Sequence, residues 1–388
     1  MSAKLALVGL GHIAEAHLDG VRALNAMSDQ PLIDVTAVVD SYPGRAGQWV
    51  ERHWPDTAGD RRPTVLEDWH ALIEGVHKPD IVSVLLPHHL HLEVAEALLN
   101  AGIGVQMQKP IGLAIRDAKQ MADLADRTGT PMVVCEPSVL GRGERLTLDW
   151  LRRGLQIGQP TFMLDQAVID LHGGFFMTPW RHLKGMAGAG WFIDHGVHRT
   201  HWMLEAFGPC ETAYAQTRQI EPVRENERWG RVAVDTEDLA AAVLRFASGV
   251  VVQWTVMSGG RGKGHRHVQI WGTDGSFHDG KVTCTGRDDQ PEPPRYDASS
   301  VSKQIPDNPF AHSYQELLNR FDDPQAFVVG DPRRAIEAEA IVYACLESAH
   351  TGAAVRVADV IDGRADSYEQ TVWAARDAAL AMNMHALT

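Results

Sequence analysis

Two segments of the chain carry side chains that could move a proton. One is Q-K-P at residues 108–110, and the other contains Asp194, His198 and His201. Positions i, i+4 and i+7 of a helix lie on one face, so the aspartate and both histidines would share a surface. An aspartate there can orient the imidazole of His198 and favour its protonated form, as a general base requires. The alternative is an Asp–His pair that only stabilises helix packing.

Lys109 lies where a predicted strand ends. It follows a short apolar run, Gly104 to Met107, and Pro110 comes directly after it. A lysine at the carboxyl end of a parallel strand faces the edge at which such sheets bind their ligands. We therefore expect Lys109 to face the crevice at that edge.

Histidine clusters suggest a metal site in two places. In H-H-L-H at residues 88–91, only His88 and His91 could share a helical face, and no acidic or cysteine partner lies at ligand spacing. The segment 194–201 lacks the H-E-x-x-H arrangement. We expect no metal at either place. Pro87, His88 and His91 are instead predicted to line a cofactor crevice, after a strand that begins at Ile81.

The stretch that would position a cofactor is L-A-L-V-G-L-G-H-I-A at residues 5–14. It has the form of a buried strand, a tight turn and a helix N-terminus, with alanine in place of the usual third glycine. Gly9 lets the chain turn, and Gly11 leaves backbone N–H groups bare for a pyrophosphate at the positive end of the helix. Gly9, Gly11, His12 and Ile13 are therefore predicted to contact a dinucleotide.

Asp40 ends the next predicted strand, Asp34 to Val39. An acidic side chain at this point accepts hydrogen bonds from the two ribose hydroxyls of the adenosine half of NAD, and it repels a 2′-phosphate. Arg45 could instead pair with that phosphate, which keeps NADP as the second choice. Asp40 could also be a simple turn residue. We predict NAD.

Predicted strands and helices alternate from residue 4 to about residue 136, which indicates a parallel, doubly wound sheet. Residues 45–53 and 66–75 are among the predicted helices. After residue 138 the strands follow one another through short turns, which indicates antiparallel pairing. The clearest hairpin joins Leu239 to Phe246 with Val250 to Val256.

Composition restricts the partners and the compartment. The chain has 36 basic and 50 acidic residues, a net charge of −14, which argues against nucleic acid or an anionic membrane as the main partner. The four cysteines are far apart and form no C-x-x-C pair, so neither a disulfide framework nor a cysteine zinc site is expected. No signal-peptide pattern or membrane-length apolar run occurs. These features predict a cytoplasmic protein.

The motifs taken together resemble the Gfo/Idh/MocA oxidoreductases, such as inositol dehydrogenase and glucose–fructose oxidoreductase. The resemblance runs from residue 4 to about residue 357 and rests on five motifs in the family's order: G-L-G-H-I-A at 9–14, Pro87 with His91, Q-K-P at 108–110, W-R at 180–181 and D-x-x-x-H at 194–198.

The resemblance implies a fold, a cofactor and an assembly. The fold is an N-terminal Rossmann domain followed by an α/β domain with a large open, mainly antiparallel sheet. The cofactor is NAD(P), and the assembly is a homodimer or homotetramer built through the sheet faces. With the helical pattern of the last residues, we expect a Rossmann domain at 1–137, a substrate-binding and oligomerisation domain at 138–362, and a helical tail at 363–388.

By the same resemblance, Lys109, Asp194 and His198 are the catalytic group. His198 would take the hydroxyl proton while the nicotinamide takes a hydride from the same carbon. Lys109 would hydrogen-bond the oxygen and stabilise its developing negative charge, and Asp194 would orient His198. Arg181 and His201 would contact cofactor or substrate hydroxyls. Trp180 would lie against the cofactor, or be a plain core or interface aromatic.

Gln108 departs from the family pattern, which is usually E-K-P. A glutamine keeps the capacity to hydrogen-bond the ribose on the nicotinamide side, but it removes a negative charge beside Lys109. We therefore expect Lys109 to lose its proton more easily than in relatives that carry the glutamate.

We expect an NAD-dependent dehydrogenase that acts on a secondary hydroxyl of a sugar, a polyol or a sugar derivative. One alternative is a lyase or glycosidase that holds NAD tightly and recycles it within each turnover. Another is a non-catalytic sensor of NAD or sugar, against which the joint presence of Lys109, Asp194 and His198 argues.

Overall fold

A computed structural model describes residues 2–55, 62–74, 78–171, 178–226, 230–286 and 291–381. The chain divides into two units. The first contains Met1–Gly112, Asp117–Arg142 and Lys303–Ala335, and the second contains Leu113–Arg116, Gly143–Ser302 and Ile336–Thr388.

The described residues form twelve α-helices. Their bounds are Ile13–Asn25 (α1), Arg45–His53 (α2), His91–Asn100 (α3), Ile115–Thr128 (α4), Pro137–Leu140 (α5), Arg142–Arg152 (α6), Lys184–Ala187 (α7), Trp191–Phe207 (α8), Pro309–Asp322 (α9), Pro332–Thr351 (α10), Val357–Ile361 (α11) and Ser367–Ala381 (α12).

They also form sixteen strands. Their bounds are Ala3–Val8 (β1), Ile33–Val39 (β2), Thr64–Leu66 (β3), Ile81–Val84 (β4), Gly104–Gln108 (β5), Met132–Cys135 (β6), Pro160–Val168 (β7), Cys210–Arg218 (β8), Val223–Asn226 (β9), Gly230–Ala233 (β10), Leu239–Phe246 (β11), Val251–Met257 (β12), His265–Gly272 (β13), Gly275–His278 (β14), Lys281–Cys284 (β15) and Val355–Arg356 (β16).

A six-stranded sheet of order β3-β2-β1-β4-β5-β6 forms the centre of the first unit. All its neighbouring strands run parallel. The strand order reverses at β1, which places a ligand crevice beyond the carboxyl ends of β1 and β4. Leu5 to Val8 are all buried, as expected for a continuous apolar strand covered on both faces. The predicted doubly wound parallel sheet is confirmed.

The first unit includes a helix from late in the chain. α9 packs against α1, where a Cβ added to Gly20 would lie 2.5 Å from the Cβ of Phe310. Tyr314 and Leu317 of α9 belong to the same buried core as Leu7 of β1. Residues 303–335 therefore group with the first unit, although they lie within the predicted second domain, 138–362.

The second unit is built on an eight-stranded sheet of order β15-β14-β13-β7-β12-β11-β8-β16. Its neighbours pair antiparallel except β7 and β12, which run parallel. The predicted hairpin is confirmed as the β11–β12 pair. Alternate residues of β11 are buried, which is the pattern of a sheet with one face on the core and one face outward. The fold class, α/β with a mixed, mainly antiparallel second sheet, is confirmed.

The predicted helix at residues 66–75 is wrong. The chain instead ends β3 at Leu66 and forms a short 3₁₀ turn at Trp69–Leu72. The side chain of Asp68 accepts the backbone N–H of His70 at 3.0 Å, which starts this turn at a local side-chain cap. Residues 75–77 lie outside the described part of the chain.

The predicted helical tail at 363–388 is helical over Ser367–Ala381, and residues 382–388 lie outside the described part. In the part of the chain that the structure describes, no helix combines the length and the apolar character that a membrane span requires.

Candidate active site

The glycine turn between β1 and α1 contains two glycines with different constraints. Gly9 has a φ of +93°, and an added Cβ would lie 2.6 Å from the carbonyl oxygen of Leu85. The chain itself therefore requires glycine at this position. A Cβ added to Gly11 would meet no protein atom within 4 Å, so glycine here leaves open space in front of α1.

The start of α1 offers backbone donors toward that space. His12 is the N-cap residue, and its side chain accepts no hydrogen bond from the first turn of the helix. Ile13 is the first helical residue and is half-buried. A helix N-terminus without a side-chain cap is a ready binding site for an anion such as a pyrophosphate.

Asp40 joins the end of β2 to the glycine turn. Its Oδ2 accepts the backbone N–H of Leu10 at 2.9 Å, and its Oδ1 accepts that of Tyr42 at 2.9 Å. Arg45 Nη1 lies 3.2 Å from the same Oδ2, and its guanidinium lies over the Tyr42 ring. These three donors use three of the roughly four lone-pair positions of a carboxylate, so one acceptor position remains.

The loop after β4 carries Pro87, His88 and His91, all within the first unit. Both histidines are buried, and their ring centroids are 5.7 Å apart. His91 Nε2 lies 2.8 Å from the carbonyl oxygen of Leu86 and holds the loop to α3. Burial lowers the pKa of His91 below its usual range. The ring is therefore neutral at pH 7 and donates to that carbonyl.

Lys109 follows β5 and is half-buried. Its backbone N–H donates to the side-chain Oε1 of Gln108 at 2.8 Å. The Nε2 group of Gln108 lies 2.9 Å from Nε2 of His17 on α1. Both ends of the Gln108 amide are thus engaged inside the first unit. The predicted ribose contact would use the second N–H or the second lone pair of that amide.

In the second unit, α8 carries the predicted acid–base face. Asp194 and His198 are half-buried, whereas His201 is only 3% exposed. Two of the three predicted side chains therefore reach the surface of this unit, and the third is enclosed.

Asp194 lies close to the other predicted motif of this unit. Its Oδ1 is 3.8 Å from Nε of Arg181, whose Nη1 donates to Thr178 Oγ1 at 2.8 Å. The Arg181 guanidinium also lies 4.5 Å from the centroid of the Trp180 ring. The structure thus brings Trp180, Arg181 and Asp194 together, although W-R and D-x-x-x-H are separate motifs in the sequence.

Glu237 holds the N-terminus of α8 and is absent from the sequence predictions. Its Oε1 accepts the backbone N–H of Gly190 at 2.8 Å and that of Phe192 at 3.2 Å. Burial raises the pKa of Glu237, and the two N–H donors partly oppose that shift. No local motif signals this role, because the glutamate precedes β11 and its target begins α8.

A buried ionic cluster supports the turn that carries Arg181. The next residue, His182, contacts the guanidinium of Arg224, which also pairs with Asp238. Burial and the positive charges of Arg224 and Arg181 lower the pKa of His182 to about 3. His182 is therefore neutral at pH 7, and its Nδ1 accepts from Arg224. Burial also lowers the pKa of Arg224 to about 10.

The structure includes no metal centre within its described ranges. No group of three or more histidine, cysteine, aspartate or glutamate residues there is arranged to hold a metal ion.

Comparison with family sequence models gives two matches. Residues 3–135 match the oxidoreductase family with an NAD-binding Rossmann fold, and residues 157–278 match the GFO/IDH/MocA C-terminal domain.

Three curated relatives show the range of matching proteins. The inositol 2-dehydrogenase/D-chiro-inositol 3-dehydrogenase of Lactiplantibacillus plantarum is 26% identical over 56% of this chain and 59% of its own length. A glycosyl hydrolase family 109 protein of Streptomyces filamentosus is 25% identical over 46% of this chain and 36% of its own length. The D-glucoside 3-dehydrogenase of Escherichia coli is 30% identical over 64% of this chain and 68% of its own length. The chain thus spans less than two thirds of the length of the first two relatives, the inositol dehydrogenase and the glycosyl hydrolase family 109 protein.

Among solved structures, levoglucosan dehydrogenase in complex with NADH and levoglucosan is similar over 92% of this chain and 100% of that chain. The TM-score is 0.77 at 19% sequence identity, a likeness of fold.

Proposed function

Because the chain belongs to the Gfo/Idh/MocA oxidoreductase family and has an NAD-binding Rossmann domain, we propose that it is an NAD-dependent dehydrogenase of a sugar, a polyol or a sugar derivative. The observation that carries the proposal is the glycine turn: Gly11 borders open space, α1 starts without a side-chain cap, and the Asp40 carboxylate holds the backbone N–H of Leu10.

The residues at this turn fit a dinucleotide. Backbone N–H groups at the start of α1 would hold the pyrophosphate, since no side chain of the turn competes for them. The remaining acceptor position of Asp40 would take a ribose hydroxyl, and its charge disfavours a 2′-phosphate. His12, Ile13 and the loop of Pro87 and His88 would complete the contacts.

The proposed acid–base roles belong to Lys109, Asp194 and His198. Bound NAD would supply the acceptor for a hydride from the carbon that carries the hydroxyl group. His198 would take the hydroxyl proton, and Asp194 would orient its imidazole. Lys109 would donate a hydrogen bond to the same oxygen and stabilise its developing negative charge. Arg181, with Trp180 against it, and His201 would contact other hydroxyls or the cofactor.

The substrate class rests on the family and on the named relatives. The matching dehydrogenases are named for inositols and glucosides, which are polyhydroxylated rings with secondary hydroxyls. We propose the same chemical class here.

A second candidate is a redox-recycling glycosidase or lyase that keeps its NAD bound. The match to a glycosyl hydrolase family 109 protein favours it as the alternative. The third, a non-catalytic sensor of NAD or sugar, is disfavoured by the joint presence of Lys109, Asp194 and His198.

We also propose a homodimer or homotetramer built through the outer face of the eight-stranded sheet. Tyr214 of β8 and Val243 of β11 are paired neighbours on that sheet, and they are 45% and 49% exposed. Two large side chains exposed side by side on a sheet face support an interface there. All four cysteines are free thiols, which supports the cytoplasm as the compartment.

The decisive experiment combines cofactor binding with turnover. Titration of the purified protein with NAD and NADP should show saturable binding that favours NAD. A panel of inositols, aldoses and glucosides with NAD should give accumulating NADH for at least one member. Product without NADH would instead indicate the recycling enzyme, and NAD binding without product would indicate the sensor. Failure to bind either nucleotide would overturn the proposal.

A further inference from the structure

A buried chain of hydrogen bonds begins at the backbone of Lys109 and ends at β4. From Lys109 it passes through the Gln108 amide to His17, then to the hydroxyl of Tyr314 at 3.2 Å from Nδ1 of His17. The Tyr314 hydroxyl lies 2.7 Å from Ser83 Oγ. All of these side chains except that of Lys109 are buried, and all lie in the first unit.

The direction of each hydrogen bond follows from the first one. A backbone N–H only donates, so the atom of Gln108 nearest Lys109 is the amide oxygen, and the NH₂ group faces His17. An amide NH₂ has no lone pair to offer, so Nε2 of His17 accepts. The remaining ring proton lies on Nδ1 and donates to Tyr314, whose hydroxyl donates to Ser83. Every group in this relay is therefore neutral.

The protonation of His17 agrees with this direction. Burial lowers the pKa of His17 to about 3. Its neighbours are Gln108 from β5, and Tyr314 and the ring of Phe310 from α9. Of these three neighbours only Tyr314 has an ionisable side chain, and burial raises its pKa above the usual range.

We propose that Gln108 and His17 are a pair of positioning residues, which fix the backbone of Lys109 to the helix α1 that begins at the glycine turn. The inference rests on the proposed role of Lys109 in the reaction. The pair joins the strand that ends in the lysine to the helix that would bind the pyrophosphate, and it does so without a charge that varies with pH.

The substitution Gln108→Glu tests the direction of the relay. A carboxylate only accepts, so it can bond both Lys109 and His17 only if Nε2 of His17 carries a proton. A carboxylate beside an imidazole also favours the charged ring. We expect the pKa of His17 to rise by about 1 to 3 units in this variant. Exchange of the imidazole C2 proton, followed per histidine by mass spectrometry, measures that pKa in the folded protein.

Gln106→Glu is the matched control. Gln106 lies on the same strand, is fully buried and donates to Ser313 Oγ at 3.1 Å instead of to His17. Glutamate at position 106 should leave the pKa of His17 unchanged. If the pKa of His17 rises equally in both variants, the pairing of Gln108 with His17 is overturned. A pKa of wild-type His17 near its ordinary value of 6.5 would also overturn the pairing, and this measurement needs no variant.

A kinetic comparison separates positioning from a merely structural role. Gln108→Met keeps the length of the side chain and removes both hydrogen bonds. We expect kcat to fall by up to about 10²-fold, with a smaller change in KM, because a misplaced catalytic group costs mainly turnover. Gln108→Glu keeps the acceptor for the Lys109 N–H and should recover most of kcat.

If Gln108→Met keeps the kcat of the wild-type protein, the positioning role is overturned. If the wild-type protein turns over no sugar, the proposed function fails, and the titration of His17 still decides whether the relay exists.

Discussion

Asp40 Oδ2 accepts the backbone N–H of Leu10 at 2.9 Å and thereby fixes the glycine turn to the end of the neighbouring strand. The same carboxylate lies 3.2 Å from the guanidinium of Arg45. One aspartate therefore shapes the turn and also restrains the cation that could otherwise attract a 2′-phosphate.

Asp40→Asn should weaken NAD binding by about tenfold or more, because it removes a charge-assisted hydrogen bond. It should also raise the affinity for NADP relative to NAD, since Arg45 loses its anionic partner. Fluorescence titration with both nucleotides measures the ratio. Asp34→Asn, at an exposed position of the same strand, is the control. An unchanged preference for NAD would show that Asp40 does not select the cofactor.

The two glycines of the turn should respond differently to alanine. Gly9→Ala brings a methyl group against Leu85 in a left-handed backbone conformation and should cost on the order of 1–3 kcal/mol of unfolding free energy. Gly11→Ala meets no protein atom and should leave the unfolding free energy nearly unchanged while it weakens NAD binding. Urea unfolding and NAD titration of both variants check this. Full NAD affinity in Gly11→Ala would place the pyrophosphate elsewhere.

Lys109→Met and His198→Asn should each lower kcat by about 10² to 10⁴-fold, as expected for the loss of a group that stabilises or transfers a proton. NAD binding should change little. Steady-state kinetics on the best sugar measures the effect, and Lys281→Met, at an exposed lysine of β15, is the control. Turnover close to wild type in either variant would remove that residue from the catalytic group.

Glu237→Ala should destabilise the second unit by about 1–2 kcal/mol, because the backbone N–H groups of Gly190 and Phe192 lose their acceptor. Glu237→Gln keeps an acceptor oxygen and should lose less unfolding free energy, which urea unfolding measures.

The raised pKa of Glu237 means that protonation favours the folded state. The stability that protonated Glu237 contributes to the folded state is fully present below its unfolded pKa of about 4.5. This stability is lost as the pH rises through the higher pKa of the folded state. Urea unfolding at several pH values should show a weaker pH dependence in Glu237→Gln over that window; an identical dependence would contradict this assignment.

His182 should make the protein sensitive to acid. Its folded pKa of about 3 lies below the ordinary value of 6.5, so the neutral ring contributes stability above pH 6.5. That stability falls as pH decreases from 6.5 toward 3, because the unfolded chain binds the proton first. Unfolding free energies at pH 7 and pH 5 should therefore differ less in His182→Asn than in the wild type. A difference of the same size in both proteins would mean that His182 does not titrate as described.

Local patterns predict the parts of the site that form within a short stretch of chain. The glycine turn and Asp40 follow from strand–turn–helix spacing, and the β11–β12 hairpin follows from alternation and a turn. Glu237 at the start of α8 could not be predicted in this way, because the glutamate and the helix are distant in sequence. The same holds for His17 with Gln108. One sequence shows which segments are apolar or polar, but not which distant segments meet.

The packing of α9 on α1 has a consequence for how the protein is made. Tyr314 and Leu317 complete a core whose other members, such as Leu7, are translated some three hundred residues earlier. A nascent chain that has produced all six parallel strands still lacks the helix that covers Gly20. The buried core of the nucleotide-binding unit therefore cannot be completed until α9 has been synthesised, well after the last strand of its sheet.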